Sequence, residues 1–213
     1  THKNFADGLL QRGRVAEAEI HYREALRIQP GWSEARLGWA DLLAVQGRVG
    51  EALGRYEEEL QRSPSDTRAA GRYGLLLLRA GRFAEARDSV ERALAVHGDV
   101  AELHVGMAIA TSQLGDFARA VRHGREALRL APALDSAANN LAWILATSPD
   151  PRARNPEESI RIMGRLLREA ERPDPAYLDT LAAVYAAAGR FPDAIDTAAR
   201  AEKRAREEQR SAM

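Results

Sequence analysis

Cysteine is missing from the 213 residues, which excludes disulfide scaffolds, thiolate metal sites and cysteine nucleophiles. A net charge is missing too. The 31 Lys and Arg balance the 31 Asp and Glu, whereas general nucleic-acid binding needs a basic surface. No apolar run approaches the roughly 20 residues that span a bilayer, and no basic stretch followed by an apolar one opens the chain, so no signal peptide is read. Aromatics are only 6 %, while Ala, Leu, Arg and Glu dominate, a mixture that favours helix. No Gly-rich phosphate loop, Gly-x-Ser-x-Gly or His-Glu-x-x-His occurs. Among His2, His21, His97, His104 and His123 none stands three or four residues from another, so no single helix presents a metal pair. His104, beside the apolar run Val105–Ile109, reads as a packing histidine, and Glu57, Glu58 and Glu59 read as a solvated face. No catalytic residue, metal site or cofactor is expected, and no enzyme in this chain alone. A soluble domain of the cytoplasm or periplasm is expected, and a helical pattern already running at Asn4-Phe5-Ala6 predicts a piece cut from something longer.

What is present is periodicity. Gly13, Gly47, Gly81 and Gly115 fall 34 residues apart, and Ala18, Ala52, Ala86 and Ala120 keep the same step. So do Leu26, Leu60, Leu94 and Leu128, and the small residues Ala6, Ala40, Gly74, Ala108 and Ala142. Pro30, Pro64 and Pro132 recur, with Gly98 standing in once. The word Gly-Arg-Phe-Ala-Glu-Ala at Gly81 has close copies at Gly13, Gly47, Gly115 and Gly189. Gly189 lies 74 residues after Gly115, two periods and six residues, so one repeat carries an insertion. Each repeat reads as two helices: an apolar stripe such as Tyr73, Gly74 and Leu77, a glycine where a left-handed turn is cheap, then Ala86, Val90, Ala93 and Leu94 at helical spacing. Small residues at Gly74 and Ala86 let the two helices approach closely.

A 34-residue period of this layout resembles the tetratricopeptide repeat over almost the whole chain. The resemblance implies an all-α fold: a right-handed α-solenoid of six helical hairpins, about twelve helices. The repeats are placed near residues 1–32, 33–66, 67–100, 101–134, 135–173 and 175–202, with a charged capping tail at 203–213. The prolines of Ser148–Asn155 place the insertion as a loop between the two helices of repeat five, with Arg152 and Arg154 exposed. Asn139 to Pro151 and Asp174 to Ala183 look like the C-terminal repeats of bacterial multidomain proteins. Glu59, where a small residue is usual, and Gly124, where a large one is, predict local looseness.

In this architecture the first helices line a concave wall. At 100° per residue, Arg68, Arg72, Leu75 and Arg79 share one face of the first helix of repeat three, a stripe suited to carboxylates or phosphates. Val105 and Ile109 in repeat four and Asn139, Asn140 and Trp143 in repeat five extend the wall with apolar and amide groups. The resemblance supplies two comparisons. An asparagine ladder holding peptide backbone is matched at Asn4 and Asn140 but not at Gly38, Arg72, Gly106 or Thr180, and a clamp for a terminal carboxylate is incomplete at Lys3 and Asp7. The expected function is a protein-interaction scaffold that holds a peptide or partner segment, acidic with apolar residues between the acids. Two alternatives stand beside it: a substrate-positioning domain of a larger enzyme such as a membrane glycosyltransferase, and a self-assembling scaffold.

Overall fold

The computed structural model describes residues 2–168 and 173–211. Among them are twelve helices and no strand. They fall into two compact units that divide after Gly98. The first contains α1 (His2–Gln11), α2 (Val15–Ile28), α3 (Ser33–Val45), α4 (Val49–Arg62), α5 (Thr67–Arg79) and α6 (Phe83–Leu94). The second contains α7 (Ala101–Gln113), α8 (Phe117–Leu130), α9 (Asp135–Thr147), α10 (Pro156–Arg168), α11 (Pro175–Ala187) and α12 (Phe191–Ser211). No helix among the described residues is long and apolar enough to cross a membrane.

The periodic words of the sequence are the hairpin turns. Gly13, Gly47, Gly81, Gly115 and Gly189 all have positive φ, 73° at Gly81, a conformation that costs other residues a clash at Cβ. At Gly81 the turn is closed by its own N–H on Leu78 O and by the Arg82 N–H on Leu77 O. The arginine after the glycine then reaches the acid three residues on, as in Arg14–Glu17, Arg48–Glu51, Arg82–Glu85 and Arg190–Asp193. In repeat four the charges are exchanged, and Asp116 caps α8 by accepting from the Arg119 N–H.

The small columns hold each hairpin together. Ala6, Ala40, Ala18, Ala52, Ala86 and Ala120 are wholly buried, and at Gly74 a Cβ would come within 2.5 Å of the Val90 side chain. Tyr22 and Tyr56 are buried in the first unit, with their hydroxyls satisfied by donation to Asp7 and Asp41, as buried tyrosines require. In the second unit Leu141, Leu145, Met163 and Val184 are buried in the same way.

Two expectations of looseness are overturned. Gly124 leaves no gap, because a Cβ there would meet Leu141 at 2.9 Å; the leucine of the following helix occupies the missing volume. Glu59, far from lying on a solvated face, is completely buried and paired with Arg36. The insertion of repeat five is a loop between α9 and α10, as its prolines require, but it is fastened down: Ser148 and Ala153 are buried and the Asn155 N–H donates to Leu145 O at 2.8 Å.

Helix α12 runs 21 residues, well past the 12 to 14 of α2, α4, α6 and α8. Its extension is laced by Glu202–Arg206 and by Arg204 with Glu207 and Glu208, pairs that each add about 0.2–0.5 kcal/mol to a helix. The outer face of α12 is not uniformly polar: Phe191 and Ile195 are exposed on it. Residues 212 and 213, the end of the expected capping tail, lie outside the described residues.

Candidate binding walls

The first helices of each unit carry the residues singled out in the sequence, and the two units differ in charge. In the first unit, α1, α3 and α5 border a cavity of about 370 Å³ lined by Lys3, Asp7, Glu34, Asp41, Arg68 and Arg72, among others. The arginine stripe is largely answered from within. Arg72 pairs with Asp41 at 2.5 Å, Arg68 lies 3.5 Å from Glu34, and Lys3 holds Asp7 at 2.7 Å. Burial pushes the Asp41 carboxyl above its ordinary range; the Tyr56 hydroxyl and the Arg72 guanidinium oppose that shift, and Asp7 adds to it. Burial and the Asp7 carboxylate likewise push the Tyr22 hydroxyl up. Arg79, exposed, makes no ion pair among the described residues, and Leu75 is half-buried on the same face.

The wall of the second unit is built differently. Helices α7, α9 and α11 contain no lysine or arginine at all; their carboxylates are Glu102, Asp135 and Asp179. Trp143 is 48 % exposed. One turn earlier, Asn139 is half-buried and its Oδ1 has no hydrogen-bond partner. An unmet buried acceptor costs about 1–3 kcal/mol. Asn140 donates from Nδ2 to Ser136 O at 2.8 Å within its own helix. Ile109 is half-buried, whereas Val105 packs with Ala127 and Ala137 in the core, so it supplies the floor beneath the wall.

One arrangement escaped a reading of helices taken singly. His2 and His21 face each other across the first hairpin with Nδ1 to Nδ1 at 2.9 Å, and His104 and His123 do the same in the fourth. Both pairs are 19 residues apart, and they occupy the same places three repeats apart, which is the signal that could have found them. No group of three or more His, Cys, Asp or Glu able to hold a metal occurs among the described residues.

A tetratricopeptide-repeat family model matches residues 37–100, the stretch that contains the turns at Gly47 and Gly81. Residues 37–100 are tetratricopeptide repeats, and the chain has the fold of that family. No curated protein matches it in sequence. Among solved structures it is similar to PilW, described as a widely conserved type IV pilus biogenesis factor, with TM-score 0.83, 18 % identity, and coverage of 93 % of this chain and 90 % of that one. PilF of Pseudomonas aeruginosa gives TM-score 0.77 at 17 % identity, over 99 % of this chain and 96 % of that one. YrrB, described as a tetratricopeptide-repeat protein with an unusual peptide-binding site, gives TM-score 0.65 at 16 % identity, over 86 % and 91 %. At these identities the likeness is one of fold, that of a tetratricopeptide solenoid, an architecture that serves as a protein-interaction scaffold.

Proposed function

We propose that the chain is a scaffold whose second unit holds an extended, apolar segment of a protein partner with flanking cationic residues. The observation that carries this reading is Trp143, a large apolar side chain half exposed beside the unmet Asn139 acceptor. A tryptophan in that position gives a partner an apolar anchor. Glu102 and Asp179, both exposed on helices that bear no lysine or arginine, favour lysine or arginine on either side of the anchor. The peptide-binding site named for YrrB supports a fold of this kind in such a role.

Of the two walls of first helices, only that of the first unit fits a preference for acidic segments, and there Arg79 is the observation in its favour, as the one stripe arginine with no ion pair among the described residues. Arg68 and Arg72 would have to leave Glu34 and Asp41 first.

The test is fluorescence anisotropy with two labelled dodecapeptides, one of leucine and lysine and one of leucine and glutamate. The lysine peptide is expected to bind the wild type, and Trp143→Ala to lose that binding by tenfold or more with its melting temperature unchanged, while any binding of the glutamate peptide is expected to be unaffected by that variant. No binding of the lysine peptide, or the same affinity for it in Trp143→Ala, overturns the reading.

A further inference from the structure

The inserted loop of repeat five does more than connect α9 to α10. Its backbone is held in place. Ser148 Oγ accepts from the Asp150 N–H at 3.2 Å, the Asp150 carboxylate accepts from the Arg152 N–H at 3.0 Å, and the Asp150 carbonyl accepts from the Ala153 N–H at 3.1 Å. Ala153 is inserted into the core beside Leu145 and Ile144. A loop fixed this way presents its side chains with little conformational entropy left to lose.

Between this loop and α8 lies a cavity of about 550 Å³, lined by Arg122 and Arg125 from the helix and by Arg152 and Arg154 from the loop. Two carboxylates answer these four guanidiniums. Glu158 takes Arg125 through two bonds, at 2.7 and 3.2 Å, and Asp150 takes Arg152 at 3.2 and 3.3 Å. Arg154 donates from Nε to the Ser148 carbonyl at 2.9 Å, a neutral acceptor that fixes the side chain and leaves its charge uncompensated. Arg122 makes no hydrogen bond or ion pair among the described residues and is exposed. Two positive charges thus remain, one from each side of the cavity, over an apolar floor that includes Val121 and Ala153.

We infer that this cavity is a second docking site, which receives an acidic segment of a protein partner through two neighbouring carboxylates, one on Arg122 and one on Arg154. Guanidiniums bind carboxylates through paired N–H donors. The cavity is far larger than a single small anion, and its apolar floor suits the methylene groups of glutamate stems. The site is separate from the Trp143 wall in both residues and charge, so the two readings stand or fall independently.

The probe is a fluorescein-labelled decapeptide containing two Glu-Glu pairs, with the same peptide carrying glutamine throughout as its control, titrated by anisotropy against the whole chain. The glutamate peptide is expected to bind and the glutamine peptide to bind at least tenfold more weakly, with affinity falling as salt is raised. Arg122→Gln alone is expected to weaken binding several-fold, and Arg122→Gln with Arg154→Gln by tenfold or more. Trp143→Ala and Arg68→Gln are expected to leave it unchanged. Because Arg154 also fastens the loop, the single Arg122→Gln variant decides the case if the double variant melts at a lower temperature. Wild-type affinity in Arg122→Gln, or an equal loss in Arg68→Gln, overturns the site. So does a phosphoserine peptide that binds where the glutamate peptide does not.

Discussion

Arg36 and Glu59, 23 residues apart in sequence and on the two helices of the second hairpin, form a buried ion pair in the first unit, with Glu59 fully enclosed and Arg36 13 % exposed. Glu59 stands where Ala25, Ala93 and Ala127 stand in other repeats, and Arg36 where Ala70 and Ala138 do. Two local departures from the repeat therefore explain each other. Arg36 also donates to the Pro30 carbonyl, while one Glu59 oxygen, Oε1, has no partner. Burial pushes the Glu59 carboxyl up, but hydrogen bonds from Arg36 and Ser33 and the charge of Arg36 outweigh it, and the group is held below its ordinary value of 4.5.

Glu59→Ala is expected to destabilise the first unit by about 3–5 kcal/mol, because it strands a buried guanidinium. Adding Arg36→Ala is expected to recover most of that loss, since alanine already fits both positions elsewhere. The depressed carboxyl contributes stability that is present above its unfolded pKa and disappears as the pH falls through its folded one. The wild type should therefore lose stability below about pH 4.5 more steeply than the double variant. Urea unfolding at a series of pH values reads both effects; identical acid slopes would rule out the pairing.

The Asp41–Arg72 pair is expected to act in the opposite sense. Asp41 has a raised carboxyl, so the folded state binds its proton more tightly than the unfolded state, and its ionised form opposes folding at neutral pH. Arg72 moderates this, and Arg72→Ala should raise the Asp41 pKa further. Both side chains are more than a third exposed, so the cost at pH 7 is expected to be about 1 kcal/mol or less. It should shrink as the pH falls toward the unfolded carboxyl range. NMR titration of the Asp41 carboxyl, with unfolding at matched pH, measures it. A deficit independent of pH would mean that the pair does not form.

How much of this was legible in the sequence follows from what each residue answers to. The turn glycines and the alanine columns recur because every hairpin imposes the same steric demand, so a single period exposes them. Trp143 was legible as outward-facing because it falls on the wheel opposite the core. Val105 lies on the same wheel face, yet it is buried against Ala127 and Ala137, contacts that no single helix reveals. The arginine stripe was legible as geometry but not as chemistry, since Asp41 and Glu34 reach it from the preceding repeat. The same holds for Arg36 with Glu59 and for the two histidine pairs. The prolines of Ser148–Asn155 announced a loop, but the hydrogen bonds that fasten it depend on where the core residues of α9 fall.

Glycines divide by what surrounds them. At Gly74 a Cβ would lie 2.5 Å from Val90 Cγ2 and 3.3 Å from the Ala86 carbonyl, so Gly74→Ala should cost about 1–3 kcal/mol through overpacking. Inside α4 and α10, Gly54 and Gly164 have nothing within 4 Å of the same position. Gly54→Ala and Gly164→Ala should each stabilise by about 0.4–1 kcal/mol, chiefly by restricting the unfolded chain. Thermal melts of the three single variants decide it, and a neutral Gly74→Ala would show that the hairpin gives way more readily than its packing indicates.

The fastening of the inserted loop predicts its resistance to proteolysis. Arg152 projects into solvent with 91 % of its side chain exposed, and Arg154 follows two residues later, so trypsin has two cleavage points in reach. A protease must nonetheless draw out a stretch of extended backbone, and here that means releasing Ala153 from the core and breaking the Asn155–Leu145 bond. Asn155 also starts α10: its Oδ1 accepts from the Glu158 N–H and its Nδ2 donates to the Glu158 carboxylate, both at 3.1 Å. Asn155→Ala should therefore cost about 0.5–2 kcal/mol through the lost cap. It should also turn a loop that trypsin cuts slowly into one cut early, because local opening becomes cheaper while the exposed arginines stay the same. Mass spectrometry of timed digests identifies the first cut. Early cleavage at Arg152 or Arg154 in the wild type would mean that the loop opens freely, and the cavity beside it would then lose the rigidity on which its choice of ligand rests.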